Sequence, residues 1–204
     1  MAILVLDPQR EAQVRALWPH LDDEATTEVW EGVTVMAPGA NDDHQTLAGR
    51  LYSACLVAIE DAGLGEVRSP INLSDRVEDW MQNYRIPDMT VFLNGTTAVC
   101  YNTHWVGGPD FAVEVISPGE APTAKFAFYE LIGTKELFIV HRKPWKLELF
   151  ALTDGVLKLA SSSALSSAAV CTSSALGLTF QLVEGTRRPR IAVVQPSSAR
   201  TWFA

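Results

Sequence analysis

Two apolar segments, Phe111–Ile116 and Leu137–Val140, constrain the fold of this chain more than any other feature of its sequence. The second contains no polar residue, which is typical of a strand at the buried centre of a sheet. A helix is predicted between them, from about residue 121 to residue 131, and Gly133 ends it. The order strand, helix, strand predicts a sheet with a helix packed against it.

The rest of the chain alternates in the same way. A short helix is predicted after Asp7-Pro8, and a long helix from Asn41 or Asp42 to about residue 62, with His44 at the edge of its apolar stripe. Further strands are predicted at 28–31, 33–36, 89–93, 98–101, 147–152, 156–159, 178–183 and 191–194, with irregular chain and a weak edge strand in the serine-rich stretch 161–174. The pattern predicts one α/β (α+β) domain over residues 1–204, with residues 1–25 as an N-terminal helical extension.

Composition excludes several classes of protein. A chain of 204 residues buries a sizeable core without a metal or disulfide. Its three cysteines are scattered, so we expect small buried apolar residues and not a zinc site. No apolar run reaches the roughly 18 residues of a membrane-spanning helix, and no signal-peptide core is recognisable, so we expect a cytoplasmic protein with no membrane partner. The net charge of −8 argues against tight, sequence-blind binding to duplex nucleic acid.

Two carboxylates stand out because of their positions. Asp88 follows Pro87 at the start of an apolar strand, and Glu114 interrupts the apolar strand Phe111–Ile116. A carboxylate inside such a strand is costly unless it is paired, protonated or bound to a metal. The two residues on neighbouring strand ends suit Mg²⁺ or Mn²⁺. The simpler interpretation, a salt bridge from Glu114 to an Arg or Lys, stays open.

Lys125 lies early in the helix that follows the Glu114 strand. Because the end of a strand and the start of the next helix are close in such a unit, Lys125 could reach back over Glu114. Tyr129 lies four residues later on the same helix face. A lysine on a helix is usually just solvated, and that alternative remains.

Together these segments resemble the Uma-two (Uma2) family, a large bacterial family of restriction-endonuclease-like proteins. The specific residues are Pro87-Asp88, the run Pro109–Pro118, Lys125 with Tyr129, and the run Gly133–Val140. The turn Trp30-Glu31-Gly32 and His44 also fit. The resemblance extends over most of the chain, from Glu28 to Val183.

The resemblance implies a PD-(D/E)XK nuclease fold, with a central mixed sheet flanked by helices. It implies that Asp88 and Glu114 hold Mg²⁺ (or Mn²⁺) and that Lys125 stands near the attacking water. The usual lysine two residues after the glutamate is absent, since Ile116 occupies that position. Glu31, His44 and Tyr129 are auxiliary candidates. The family's usual Tyr-Trp pair and strand-ending aspartate are replaced by Leu137-Phe138 and His141.

The leading hypothesis is therefore a Mg²⁺-dependent endonuclease that hydrolyses phosphodiester bonds of nucleic acid, DNA in preference to RNA. A second hypothesis is a catalytically silent nuclease-fold homologue that binds nucleic acid or protein. A third is a scaffold protein in which Glu114 is merely salt-bridged. The basic run Arg187–Arg190 either contacts a phosphate backbone or is a solvated turn. The apolar helix face and short edge strands leave room for a homodimer.

Overall fold

A six-stranded mixed sheet forms the centre of the structure, a computed structural model that describes residues 3–5, 27–36, 40–116 and 121–204. In spatial order its strands are β13 (Val156–Ser163), β12 (Trp145–Thr153), β11 (Glu136–Arg142), β10 (Phe111–Ile116), β7 (Met89–Leu93) and β4 (Gly65–Arg68). The pair β10–β11 is parallel and the other neighbours are antiparallel. The two apolar segments that constrain the fold are thus the two central strands.

The other strands of the described residues form two further sheets, one of seven short strands and one of four. One has the order β1 (Ile3–Val5), β3 (Val33–Met36), β2 (Thr27–Trp30), β6 (Tyr84–Arg85), β5 (Leu73–Ser74), β9 (Trp105–Val106) and β8 (Val99–Cys100). The other is antiparallel, with the order β14 (Cys171–Ser173), β15 (Leu178–Val183), β16 (Arg190–Gln195) and β17 (Arg200–Phe203).

The described part of the chain contains two α-helices. Helix α1 (Asp42–Cys55) continues into a π-helical turn (Leu56–Glu60), and helix α2 (Phe126–Ile132) follows a 3-10 turn (Pro122–Lys125). A further 3-10 turn spans Trp80–Gln82. None of the helices in the described parts of the chain is long and apolar enough to cross a membrane.

Side chains of the central sheet alternate between two buried layers, as the two-residue period of a strand requires. Phe111, Val113 and Val115 of β10 pack with α1 and the four-stranded sheet on one face. Ala112 and Ile116 pack with α2 and part of the seven-stranded sheet on the other face. Glu114 lies between Ala112 and Ile116 on the same face of β10, so its side chain also points toward α2.

Local signals predicted most of these elements. Strands β7 and β10 have the predicted bounds, and Asn41 caps α1, accepting a hydrogen bond from the backbone N–H of His44. The hairpin at Asp154-Gly155 is confirmed: both residues have positive φ, which suits the tight two-residue turn. The mixed α/β class is confirmed.

Several expectations need correction, and two others concern residues that the structure does not describe. The residues predicted as the start of the helix at 121–131 form a 3-10 turn, and Cys100 is exposed, unlike Cys55 and Cys171. The apolar stripe of α1 is buried in the core, so it is not free for a homodimer. The helix after Asp7-Pro8 and the break at 117–120 lie outside the described residues, while Ile3–Val5, within the expected extension, form a strand.

Candidate active site

The side chain of Glu114 is the centre of a buried polar cluster against the α2 face of the sheet. It is only 7% exposed, on a strand whose residues are all buried. Lys125 Nζ donates to both of its oxygens, at 3.0 Å to Oε1 and 3.1 Å to Oε2. Tyr129 Oη donates to Oε1 at 2.5 Å. Lys125 therefore reaches back over Glu114, as predicted, and Tyr129, which was predicted only to share the helix face of Lys125, contacts the same carboxylate.

Helix geometry explains why both donors reach one carboxylate. Lys125 ends the 3-10 turn and Tyr129 lies one helical turn later in α2, so their side chains share a face. Tyr129 is fully buried, and its hydroxyl therefore needs a partner, which Glu114 supplies.

A second acidic residue, Glu28 of β2, joins the cluster from the seven-stranded sheet. Its Oε1 accepts from Lys125 Nζ at 2.9 Å and from the backbone N–H of Ile86 at 2.9 Å. Its Oε2 accepts from Trp30 Nε1 at 2.8 Å. Lys125 is therefore a bridge between two buried carboxylates that belong to different sheets.

Arg85 holds the Glu28 strand in place. Its guanidinium lies between the rings of Trp30 (4.5 Å to the centroid) and Phe128 (4.4 Å), and Nη1 donates to the backbone carbonyl of Val29 at 2.9 Å. Burial lowers the pKa of this arginine, while the charge of Glu28 opposes that effect. The contact joins β2 to α2 beside the cluster.

Burial is the largest electrostatic influence on the three groups of the cluster. Burial raises the pKa of Glu114 to about 8; Lys125 and the Tyr129 hydrogen bond lower it, and the charges of Glu28 and Asp88 raise it. Burial lowers the pKa of Lys125, but the charges of Glu114 and Glu28 outweigh this and raise it overall. The pKa of Tyr129 is raised by burial and by the same carboxylates.

Asp88 lies at the edge of this cluster, just before β7. Its Oδ2 accepts from the backbone N–H of Val115 at 2.7 Å, and its own N–H donates to the carbonyl of Val113 at 3.0 Å. The aspartate thus extends the pairing of β7 with β10 past Met89. Its Oδ1 lies 2.7 Å from Nε2 of His44, which comes from the first turn of α1. The buried His44 ring thereby orients Asp88.

Glu31 is the one auxiliary candidate that the structure separates from these contacts. It lies in the tight β2–β3 turn with Gly32, where both residues have positive φ. Its carboxylate is 69% exposed and accepts from Asn83 at 2.8 Å and from Arg76 at 3.5 Å. Sequence reasoning selected Glu31 and missed Glu28. The available signal was strand alternation, which puts Glu28 and Trp30 on one face and leaves Glu31 in the turn.

The donor set suits a hard divalent cation. Lys125 faces the carboxylates of Glu28 and Glu114, and burial, followed by the charges of Glu28 and Asp88, raises the pKa of Glu114 despite this ammonium. In residues 27–36, 40–116 and 121–204 no three His, Cys, Asp or Glu side chains are arranged as a ready-made metal cage. Lys125 contacts both oxygens of Glu114, so a cation that binds the same oxygens competes with it.

Comparison with known proteins found a matching family and a similar solved structure. The family model "Uma2: Putative restriction endonuclease" matches residues 15–196. The crystal structure of a "putative nuclease belonging to DUF820" from Anabaena variabilis ATCC 29413 is similar, with a TM-score of 0.54 and 14% sequence identity. The match covers 65% of this chain and 75% of that one, and at such low identity it concerns the fold alone. No curated protein matches the sequence.

Proposed function

The chain belongs to the Uma2 family of restriction-endonuclease-like proteins, and from this premise we propose that it is a nuclease that hydrolyses phosphodiester bonds with Mg²⁺ or Mn²⁺. The observation that carries the proposal is the contact of the buried Glu114 with Lys125, next to Asp88. An acidic group with a raised pKa beside an ammonium and a second carboxylate is the arrangement expected of a reaction centre.

Glu114 and Asp88 are the residues that would hold the ion. Both offer carboxylate oxygens, which Mg²⁺ and Mn²⁺ prefer. A bound ion of this kind polarises a phosphate oxygen and lowers the pKa of its water ligand. The negative charges of Glu28 and Asp88 beside Glu114 favour uptake of such a cation.

Lys125 supplies a positive charge that belongs to the protein itself and not to the metal ion. Its ammonium is held between Glu28 and Glu114 and remains protonated, because both carboxylates raise its pKa. Placed near a reacting phosphate, it stabilises the negative charge that develops on the phosphoryl oxygens. The family resemblance implies that this lysine also stands near the attacking water.

Three residues act by positioning the others. Glu28 anchors Lys125, Tyr129 fixes one oxygen of Glu114, and His44 fixes one oxygen of Asp88. Each contacts its partner through a hydrogen bond: Glu28 accepts from Lys125, Tyr129 donates to Glu114, and the His44 ring pairs with Asp88. Such partners of metal-binding residues typically matter about 10–100-fold for affinity or activity.

A calorimetric titration with Mn²⁺ tests the metal site. Wild-type protein is titrated beside Glu114→Gln, with Glu66→Gln as the matched control, since Glu66 is an exposed carboxylate on edge strand β4. We expect saturable binding to wild type and to the control, and none to Glu114→Gln.

Hydrolysis is then assayed on single- and double-stranded DNA and RNA with Mg²⁺ or Mn²⁺. We expect metal-dependent cleavage that Glu114→Gln and Lys125→Ala abolish. The family's description as a restriction endonuclease favours DNA over RNA as the substrate. A wild-type protein that neither binds Mn²⁺ nor cleaves any of the four substrates contradicts the proposal and supports a catalytically silent, nucleic-acid- or protein-binding homologue.

A further inference from the structure

A histidine, a lysine and a glutamate meet on strands β11 and β12 of the central sheet. His141 Nε2 lies 2.8 Å from Glu148 Oε2, and Lys146 Nζ donates to Glu148 Oε1 at 2.5 Å. We call these three residues the β11–β12 cluster. They lie outside the polar cluster around Glu114, so the proposed metal site does not account for them.

Strand register places the β11–β12 cluster on the same face of the sheet as Glu114. Glu114 pairs with Ile139 of β11, and Ile139 pairs with Glu148 of β12, so the two glutamates lie in one row across three strands. His141 and Lys146 pair with each other in the next row on that face. Since neighbouring strands are about 4.8 Å apart, the backbone of Glu148 is roughly 10 Å from that of Glu114.

Helix α2 begins over Phe150 of β12 and runs away from the β11–β12 cluster. Phe126, the first residue of α2, packs edge-to-face against Phe150, with the ring centroids 4.7 Å apart. One turn later, Glu130 accepts from the backbone N–H of Leu157, just after the turn that ends the β12–β13 hairpin, at 2.8 Å. Glu148 lies two residues before Phe150, on the side away from that turn. The cluster is therefore beyond the start of the helix.

Glu148 holds Lys146 and His141 through separate oxygens. Burial raises the pKa of Glu148, but the hydrogen bonds from Lys146 and His141 outweigh burial and lower it overall, so the carboxylate is ionised. The side chain of Glu148 is 15% exposed, while that of Lys146 is 44% exposed. A lysine ammonium has three N–H donors, and Glu148 takes one of them. The ammonium is thus fixed in place and can also donate to a ligand that approaches from solvent.

We propose that Lys146, held by Glu148 and His141, binds a backbone phosphate that flanks the hydrolysed phosphate of the nucleic acid. The separation of roughly 10 Å from Glu114 corresponds to about three nucleotides, at about 3.4 Å of rise each. With a net charge of −8 the protein offers no general attraction to a polyanion, so binding depends on lysines fixed at particular points. The inference rests on the proposed function, since it takes the nuclease substrate as the ligand. Glu148 and His141 are positioning residues for Lys146.

The test compares DNA with a substrate too short to reach Lys146. Bis(p-nitrophenyl) phosphate has one phosphodiester and no flanking phosphate, whereas a DNA strand has both. Hydrolysis of each with Mn²⁺ is measured for wild type, Lys146→Gln and Lys146→Arg, and binding of fluorescein-labelled single- and double-stranded DNA is followed by anisotropy in EDTA.

Lys158→Gln is the matched control for these variants. Lys158 is also an exposed lysine of the central sheet paired with a carboxylate, that of Asp154 at 3.5 Å. It lies on the opposite face, because its neighbour Leu157 packs in the layer of α2. The control therefore removes the same charge from the same sheet at a point that the proposed substrate path does not include.

We expect Lys146→Gln to raise KM for DNA about tenfold, as for one lost charge-assisted hydrogen bond, with a much smaller loss on the short substrate. In EDTA its affinity for DNA falls by the same factor, and the slope of log K against log salt falls by about 0.7–0.9, the value for one phosphate contact. Lys146→Arg keeps the charge and recovers most of the affinity. Lys158→Gln keeps the wild-type values.

The outcomes separate this inference from the proposed function. If wild type cleaves both substrates and Lys146→Gln loses equally on both, loses no more than Lys158→Gln, or loses nothing, the inference is overturned and the proposed function stands. If wild type cleaves neither substrate, the proposed function fails. Phosphate binding by Lys146 then stands only if Lys146→Gln weakens DNA binding in EDTA and Lys158→Gln does not, and any other result overturns it.

Discussion

The ammonium of Lys125 lies 2.9 Å from the carboxylate of Glu28, although 97 positions of sequence separate the two residues. The contact joins the segment before α2 to the seven-stranded sheet across the buried face of β10. Since the same ammonium contacts Glu114, Glu28 sets where Lys125 can stand relative to the carboxylate proposed to hold the metal.

Glu28→Gln keeps the shape of the side chain and removes its charge. We expect metal-dependent cleavage to fall about 10–100-fold, as for other residues that orient an active-site group. The pKa of Lys125 falls as well, because the charge of Glu28 raises it. Cleavage rates and NMR titration of the Lys125 side chain measure the two effects.

Glu31→Gln is the matched control for this change, since it removes a carboxylate three residues away in the β2–β3 turn. We expect cleavage and the Lys125 titration to stay at wild-type values. If the two variants behave alike, Glu28 does not position Lys125.

The contrast between Glu28 and Glu31 also shows which features of the site could be predicted from the sequence and which could not. Strand β10 and the turn at Asp154-Gly155 were predictable because apolar runs and Asp-Gly turns are local signals. The strand-helix unit and the family resemblance also predicted four candidate site residues, Asp88, Glu114, Lys125 and Tyr129. Their joint action in hydrolysis stays a prediction.

The missed features depend on long-range packing. Strands β5, β6 and β9 have two residues each, too few to show a period. The contact of Glu28 with Lys125 and that of Arg188 with Asp43 join segments far apart in sequence. Only the folded sheets bring these charges together, so no spacing rule could reveal them.

Tyr129→Phe removes the hydroxyl that donates to Glu114. Because this hydrogen bond lowers the pKa of Glu114, its loss raises that pKa further above about 8. Metal binding needs the ionised carboxylate, so the pH midpoint of Mn²⁺ binding moves upward. Titrations between pH 6 and 9 measure it, with Tyr101→Phe, an exposed tyrosine, as control. An unchanged midpoint argues that the hydroxyl does not act on Glu114.

Lys125→Met leaves Glu28 and Glu114 buried without their shared counter-ion. We expect a loss of about 3–5 kcal/mol in the free energy of unfolding, typical of a broken buried ion pair. Mn²⁺ should raise the melting temperature of this variant more than that of wild type, because the ammonium no longer competes for the oxygens of Glu114. Lys158→Met, an exposed lysine, should match wild type in both. Equal Mn²⁺ shifts would show that the ion and Lys125 do not share a site.

The raised pKa of Glu114 predicts how the free energy of unfolding depends on pH in the absence of metal. Its folded-state pKa of about 8 lies above its ordinary value of 4.5, so the folded state binds a proton that the unfolded state releases. The free energy of unfolding therefore falls as pH rises from about 4.5 to 8, by at most about 1.4 kcal/mol per pH unit from this group.

Glu114→Gln removes this titration while keeping the size of the side chain. We expect its unfolding free energy to fall less steeply with pH over the same window, so that its stability relative to wild type improves steadily toward pH 8. Urea unfolding at intervals between pH 5 and 8.5 measures both curves, with Glu66→Gln as the control for loss of an exposed carboxylate. Parallel curves for wild type and Glu114→Gln would mean that Glu114 is ionised throughout. Lys125 alone would then balance it, and the case for a cation at this carboxylate would lose its electrostatic basis.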